Sequence, residues 1–360
     1  MKKIAILTGG GDCPGLNAVI RAVVKTAYHD YGVPTVGIKD GFKGLVEGRW
    51  KDLKESDVSG ILDKGGTILG TTNRDDPFHI NRIVNGKEVS VDESDRVVSN
   101  LKEIGATCLI VVGGDGSLKI ASELCAKGVP VVGVPKTIDN DLEATDITFG
   151  FHTAVATATE AIDKLHTTAE SHHRIMLLEV MGRYAGWIAI ESGLAGGGDV
   201  ILIPEIPFKI GKIVETIEGR IKRGRGFSIV VVAEGAHAEG EEMTFGRTVK
   251  GSPEPKRLGG VSIGLAQKLE EATGYETRAT VLGHLQRGGS PTPFDRILAT
   301  RFGAHAASLA ISERYGTMSA LKGERIKEVP ICDAIGKMKK VDPNGDLVKL
   351  GRSLGVSFGT

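Results

Sequence analysis

The sequence predicts an α/β protein with mostly parallel sheets, divided into two domains, and three observations carry that expectation. Short apolar runs recur at residues 4–7, 35–38, 108–112, 131–134, 175–180, 200–203, 228–233 and 280–282. They are continuous rather than alternating, as strands are when helices cover both faces of a sheet. Between them, residues 15–30, 119–127, 153–171, 211–223, 257–273 and 294–314 place apolar side chains three and four apart, the spacing of crossover helices. A length of 360 residues suits two domains of about 100–200 residues each. With 41% apolar residues the chain can fill two cores.

Two segments break the rhythm. Residues 82–89 place Asn85-Gly86 between short β-prone runs, which predicts a tight hairpin. Residues 239–255 are polar, carry Pro and Gly and have no apolar period, so they read as a surface insertion.

Composition narrows the function. The 50 glycines are near twice the usual ~7%, and no Gly-X-Y period accounts for them, so they mark places where backbone approaches something closely, such as phosphate. Lys plus Arg and Asp plus Glu total 45 each, which supplies no general attraction for nucleic acid or an anionic membrane. No apolar run nears the ~20 residues that cross a bilayer. The first run stops at Thr8-Gly9-Gly10, too short for a signal peptide, so a cytoplasmic protein is expected. Cys13, Cys108, Cys125 and Cys332 are too scattered for a disulfide framework or a Cys-x-x-Cys site.

In parallel α/β sheets ligands gather beyond the carboxyl ends of the strands. The first run ends in Thr8-Gly9-Gly10-Gly11-Asp12-Cys13-Pro14-Gly15-Leu16-Asn17 and enters a helix. Such a turn lets backbone N–H groups and the helix terminus face an anion, with an ordinary tight turn as the lesser alternative. Neither the P-loop nor the Gly-x-Gly-x-x-Gly fingerprint occurs there. The run 108–112 ends in Gly113-Gly114-Asp115-Gly116-Ser117, and 131–134 ends in Pro135-Lys136-Thr137-Ile138-Asp139-Asn140-Asp141. Glycine around Asp115 permits polyphosphate against the chain while the carboxylate holds Mg²⁺. Asp139 and Asp141, two apart, point the same way in extended chain, and one can take a proton from an attacking hydroxyl. Asp-Asn-Asp alone is also a common turn; beside Gly-Gly-Asp-Gly-Ser the catalytic reading gains. Later strand ends carry Glu179-Val180-Met181-Gly182-Arg183, Ala233-Glu234-Gly235 and Gly283-His284-Leu285-Gln286-Arg287-Gly288-Gly289, while Arg174 and Arg278 open two strands. Singly each Arg suits a surface ion pair and Met181 a core; together with His284 they suit a sugar phosphate.

With these motifs, Gly65-Gly66-Thr67-Ile68-Leu69-Gly70 and Glu276-Thr277-Arg278-Ala279-Thr280 between them, the sequence resembles the 6-phosphofructokinases over nearly its whole length. The resemblance implies two doubly wound, mostly parallel-sheet α/β domains with the active site in the cleft between them. Residues 1–150 plus 286–336 would form the phosphoryl-donor domain, and 151–285 plus 337–360 the fructose 6-phosphate domain. It implies transfer of a phosphoryl group to the 1-hydroxyl of fructose 6-phosphate in glycolysis, with Asp139 as general base, Thr137 and Asp141 its partners, and Asp115 as the Mg²⁺ ligand. Gly11, Asn73, Arg74, Gly116, Ser117 and Lys136 correspond to donor-phosphate positions. Met181, Gly182, Arg183 and Glu234 correspond to positions around the sugar, with Arg183 also stabilising the transferring group. Arg174, Arg278, His284 and Arg287 correspond to the 6-phosphate cluster, the first two reaching a neighbouring subunit of a homodimer or homotetramer.

The donor is ATP or pyrophosphate. Gly116 leaves room for the α-phosphate of a nucleotide where pyrophosphate-using relatives carry Asp, and Lys136 is a feature shared with those relatives. The balance favours ATP, with pyrophosphate as the alternative. Thr71-Thr72-Asn73-Arg74 displaces by one residue the arginine expected near the donor. A catalytically silent sugar-phosphate-binding subunit is the competing class; intact Asp115, Asp139 and Asp141 argue against it. Lipid and NAD kinases share a Gly-Gly-Asp-Gly element but would lack Thr-Ile-Asp-Asn-Asp and His-Leu-Gln-Arg.

Overall fold

A computed structural model describes residues 2–73, 75–84, 87–243, 245–248 and 256–360. The first stretch runs β1 (Lys3–Thr8), α1 (Leu16–Tyr31), β2 (Thr35–Ile38), α2 (Gly41–Glu47) and β3 (Trp50–Leu53). A hairpin of β4 (Ile80–Val84) and β5 (Lys87–Val91) follows, then α3 (Ser94–Ile104), β6 (Ala106–Gly113), α4 (Asp115–Ala126) and β7 (Val131–Pro135). Helix α5 (Phe151–His172) leads into β8 (Ile175–Val180), α6 (Trp187–Ala195), β9 (Val200–Leu202), α7 (Ile210–Lys222) and β10 (Ser228–Ala233). A ribbon of β11 (Phe245–Thr248) and β12 (Lys256–Leu258) precedes α8 (Val261–Thr273) and β13 (Thr277–Val281). The chain closes with α9 (Pro293–Ile311), β14 (Thr317–Lys322), β15 (Arg325–Pro330) and α10 (Asp346–Ser353).

The fold is mixed α/β with mostly parallel sheets. Seven strands pair in the order β15-β14-β7-β6-β1-β2-β3, with only the edge strands β15 and β3 antiparallel to their neighbours. Four strands form a second, wholly parallel sheet in the order β13-β8-β10-β9. In the larger sheet β1 is followed on one side by β2 and on the other by β6, so the chain reverses direction of winding between β1 and β6. That switch point leaves a crevice beyond their carboxyl ends. The complete burial of Val131–Pro135, Ile175–Val180 and Ser228–Ala233 follows from helices on both faces. Helix α9 lies on α1 at Gly303, where any β-carbon would collide with the Val19 carbonyl.

The chain passes between the two sheets more than once. Residues 136–150 lead from β7 toward α5 and β8, and a 3-10 turn at Gly283–Arg287 leads back toward α9. Residues beyond β15 then return to the smaller sheet, where Ser357 bridges Val200 and its carbonyl accepts from Ile201 N–H at 2.9 Å.

Several boundaries differ from expectation. The strand expected at 280–282 is Thr277–Val281, an edge strand whose half-exposed Arg278, Ala279 and Thr280 interrupt the apolar run. Helix α4 begins at Asp115 rather than 119, directly after the glycines, and α8 begins at Val261 rather than 257. The described part of the 239–255 segment belongs to the β11–β12 ribbon; residues 244 and 249–255 lie outside the described residues, as do Asn85 and Gly86. All four cysteines are free.

Candidate active site

The switch point is built by glycine. Gly9 N–H donates to Val112 O and Gly10 N–H to Thr72 O, each at 2.9 Å, while Thr71 Oγ1 donates to Gly10 O at 2.7 Å. The loop carrying residues 65–70 is stitched over this turn: Thr8 Oγ1 donates to Gly70 O at 2.8 Å, and Asn17 Oδ1 accepts from Ile68 N–H at 2.8 Å. A β-carbon at Gly9 or Gly113 would strike the Ser117 hydroxyl, so these two glycines let the first turn of α4 sit directly under β1 and β6. The N-terminal N–H groups of α4 thereby face the crevice with Asp115 at the helix start.

The crevice is a cleft of about 460 Å³ lined by Gly11, Asn73, Asp115, Gly116, Ser117, Lys136, Thr137, Asp139 and Arg287 among others. Every expected donor position within the described residues therefore meets in one place; Arg74 lies outside them. A β-carbon on Gly116 would face open space. Lys136 is only 5% exposed, its Nζ donates to the Gly11 carbonyl, and burial holds its pKa below the ordinary lysine value. A side chain at Gly11 would collide with the guanidinium of Arg287. Arg287 thus lines the cleft against Gly11, in the same 3-10 turn as His284, and its buried Nε has no hydrogen-bond partner among the described residues.

Beyond Lys136, Asp139 N–H donates to Thr137 Oγ1 at 3.1 Å. The chain between the two carboxylates is not extended as expected: Asn140 is left-handed, with φ 51°, and its Oδ1 accepts from Thr148 N–H at 3.1 Å. Asp139 Oδ1 is buried with no hydrogen-bond partner among the described residues. Burial first, and then the Asp141 charge, push Asp139 up to about 7, with Arg287 and Lys136 opposing. Asp141 is also raised, chiefly by burial, and the Thr137 hydroxyl opposes the shift. Two partly buried carboxylates that resist joint ionisation, beside a lysine and an arginine, are suited to proton transfer next to a developing anion.

Asp115 Oδ1 accepts from Gly336 N–H at 2.9 Å, leaving Oδ2 for another ligand. Among the described residues no three His, Cys, Asp or Glu side chains form a metal cage. One carboxylate in a cleft open to phosphates fits Mg²⁺, which is held through one or two carboxylates plus substrate oxygens.

Met181, Gly182, Arg183 and Glu234, the positions expected around the sugar, follow the carboxyl ends of β8 and β10 in the smaller sheet. Met181 N–H donates to the buried Gln286 Oε1 at 3.2 Å, which ties β8 to the 3-10 turn that holds exposed His284. Gly182 has φ 131°, and Gly235 N–H donates to its carbonyl at 3.2 Å. A β-carbon at Gly235 would strike the Arg183 carbonyl, so the chains bearing Arg183 and Glu234 run in direct contact. Arg174 and Arg278 are not with them. They stand at or near the amino ends of β8 and β13, one strand length of about 15–20 Å away from Met181 and His284.

Several lining residues carried no signal in the sequence. Phe42, Ile120 and Glu123 extend the cleft beyond Gly116, and Asp75, Asp76 and His79 form another part of its wall. Phe42 and Ile120 look like ordinary helix-face positions, and the His79–Asp76 pair at 3.1 Å lies in an irregular polar stretch.

Fold and site together put the chain among the α/β phosphotransferases: a glycine-bared anion cleft at a sheet switch point, with the Asp139 carboxylate in its wall. The sequence pattern described as phosphofructokinase matches residues 3–310, and the chain belongs to that family. It is 55% identical over 360 residues to ATP-dependent 6-phosphofructokinase 2 of Clostridium perfringens, covering 99% of this chain and 98% of that one. It is 49% identical over 358 residues to pyrophosphate–fructose 6-phosphate 1-phosphotransferase of Streptomyces coelicolor, covering 99% and 100%. The crystal structure of Pichia pastoris phosphofructokinase superimposes with a TM-score of 0.79 at 32% identity, over 92% of this chain; this chain spans 35% of that longer one. Among the described residues no helix is long and apolar enough to cross a membrane.

Proposed function

We propose that the chain is an ATP-dependent 6-phosphofructokinase that transfers the γ-phosphoryl group of ATP to the 1-hydroxyl of fructose 6-phosphate, yielding fructose 1,6-bisphosphate. The observation that carries this reading is the Asp139 carboxylate, whose unpartnered Oδ1 is buried at the wall of a glycine-lined anion cleft.

Asp139 accepts the proton of the attacking hydroxyl, and its raised pKa near 7 matches a base working at neutral pH. Thr137 orients the Asp139 backbone and offsets the charge of Asp141. Gly11, Asn73, Gly116 and Ser117 receive the donor phosphates, while Lys136 and Arg287 neutralise charge that grows on the transferring group. Asp115 would hold Mg²⁺, which when bound draws charge from the polyphosphate. Met181, Gly182, Arg183, Glu234 and His284 orient the sugar, and Arg183 reaches toward the transferred group. We assign residues 1–150 plus 286–336 to the donor side and 151–285 plus 337–360 to the sugar side. Arg174 and Arg278, at the far ends of their strands, serve the 6-phosphate of a neighbouring subunit in a homodimer or homotetramer. The reading implies a cytoplasmic enzyme.

ATP is favoured over pyrophosphate because the cleft continues past the open face of Gly116 to Phe42 and Ile120. Pyrophosphate would leave that apolar wall uncovered, whereas a nucleoside covers it. The test supplies purified protein with fructose 6-phosphate, Mg²⁺ and either donor. Fructose 1,6-bisphosphate formed with ATP is expected. Product with pyrophosphate alone overturns the donor assignment, and product with neither leaves a binding subunit.

A further inference from the structure

The segment that bears the base is held by a part of the chain far from it in sequence. Within residues 139–146 two non-glycine residues, Asn140 and Ala144, adopt left-handed backbone with φ 51° and 59°. Asparagine tolerates this conformation and alanine pays a steric penalty for it, so the segment keeps its shape only if its surroundings over-determine it.

The surroundings converge on Lys339. Its three ammonium protons are matched by three acceptors: Asn140 Oδ1 at 2.9 Å, Thr145 O at 3.1 Å and Asp146 O at 2.7 Å. Its backbone N–H donates to Asp141 O at 2.9 Å. One residue thereby binds both sides of the strained stretch and the residue that follows Asp139. Lys339 is itself fixed from the smaller sheet: its carbonyl accepts from Trp187 Nε1 at 2.8 Å, and two residues on Val341 N–H donates to Glu205 at 2.9 Å. Three residues earlier, Gly336 N–H holds Asp115 Oδ1. The same short segment touches the candidate metal ligand, the base loop and the sugar-side unit.

We propose that Lys339 is a positioning residue of the reaction, holding the Asp139–Asp141 loop at the geometry in which the base meets the sugar hydroxyl. The proposal rests on the assignment of Asp139 as base. Lys339 is not among the residues that line the cleft; it acts through Asn140 and the Asp141 carbonyl. Loss of such support displaces reacting groups by a fraction of an ångström to an ångström, which slows turnover without removing a substrate contact.

The experiment compares Lys339→Met, Lys339→Arg and Asp139→Asn with the parent in steady-state kinetics and thermal unfolding. Lys339→Met is expected to lower kcat about 10- to 100-fold, with KM for fructose 6-phosphate and ATP within about threefold of the parent and Tm lowered by no more than a few degrees. Lys339→Arg keeps the charge but replaces a compact three-way donor by a planar fork, and is expected to give the same split, about 3- to 10-fold in kcat. If Lys339→Met does not fold, Lys339→Arg decides alone. Turnover within twofold of the parent, or kcat, KM and Tm all failing together, overturns the proposal. An inactive Asp139→Asn beside a fully active Lys339→Met overturns the positioning role only, whereas a fully active Asp139→Asn overturns the base assignment itself.

Discussion

Arg174 and Arg278 grip the two oxygens of one carboxylate: Arg174 Nε lies 2.7 Å from Glu276 Oε2, and Arg278 Nη2 lies 2.5 Å from Oε1. Both guanidiniums are partly exposed, at the end of the smaller sheet opposite the sugar-side loops. A pair so placed is consistent with the proposed sharing of sites between subunits. Mixing inactive Asp139→Asn chains with inactive Arg278→Ala chains is therefore expected to restore part of the activity, because a hybrid holds some sites with both groups intact. No recovery after verified subunit exchange would refute shared sites.

Asp139→Asn is expected to lower kcat by about 10²- to 10⁴-fold, the usual cost of removing a general base, while the dissociation constant for fructose 6-phosphate stays within about threefold. Isothermal titration beside a turnover assay separates the two quantities. Turnover within twofold of the parent removes Asp139 from the mechanism.

The raised pKa of Asp139 has two pH signatures. Activity needs the ionised form, so kcat/KM is expected to climb as pH rises through about 7. Stability runs the other way: the folded group keeps its proton up to about 7 whereas the unfolded one releases it near 3.8. The folded state then binds more protons across that window, and the parent loses stability as pH rises from about 4 to about 7. Asp139→Asn, which cannot ionise, should melt a few degrees above the parent at pH 8 and level with it at pH 4. An equal difference at both pH values would count against a strained ionised carboxylate.

Gly116→Asp should fold normally, since a β-carbon there meets open space, yet its charge would repel a nucleotide's α-phosphate. Turnover with ATP is expected to fall at least about tenfold more than any turnover with pyrophosphate. Lys136→Gly should slow turnover with ATP while half-saturating ATP changes little, because Nζ is held at the Gly11 carbonyl rather than free to capture donor. Equal losses with both donors for Gly116→Asp would separate this position from donor choice.

Much of the architecture was legible because buried parallel strands are continuous apolar runs, and the donor cleft because glycine must appear where Ser117 packs beneath Gly9 and Gly113. Edge strands were harder. β13 is half exposed, the buried centre of β14 is interrupted by Ser319, and β15 has no buried residue, so none stands out as a continuous apolar run. Short helices such as α2 and α6 lack a polar face long enough to show a period. Asp115 and Asp139 could be named from local motifs, whereas Lys339 sits in an unpatterned lysine-rich stretch and acquires meaning only when the chain returns to Asn140. Likewise the left-handed turn at Asn140 is invisible in a two-residue spacing rule written for extended chain.

The pairing of β14 with β7, Thr317 beside Val132, has a consequence for synthesis on the ribosome. Until residue 317 emerges, β7 is an unprotected edge of parallel sheet whose backbone donors and acceptors can recruit another chain. At roughly 5–20 residues per second that exposure lasts on the order of ten seconds or more, during which the smaller sheet is made in full. The strand that leads into the Asp139 loop thus waits longer than any other in its sheet for its second neighbour, and nascent chains halted before β14 are expected to be prone to aggregate.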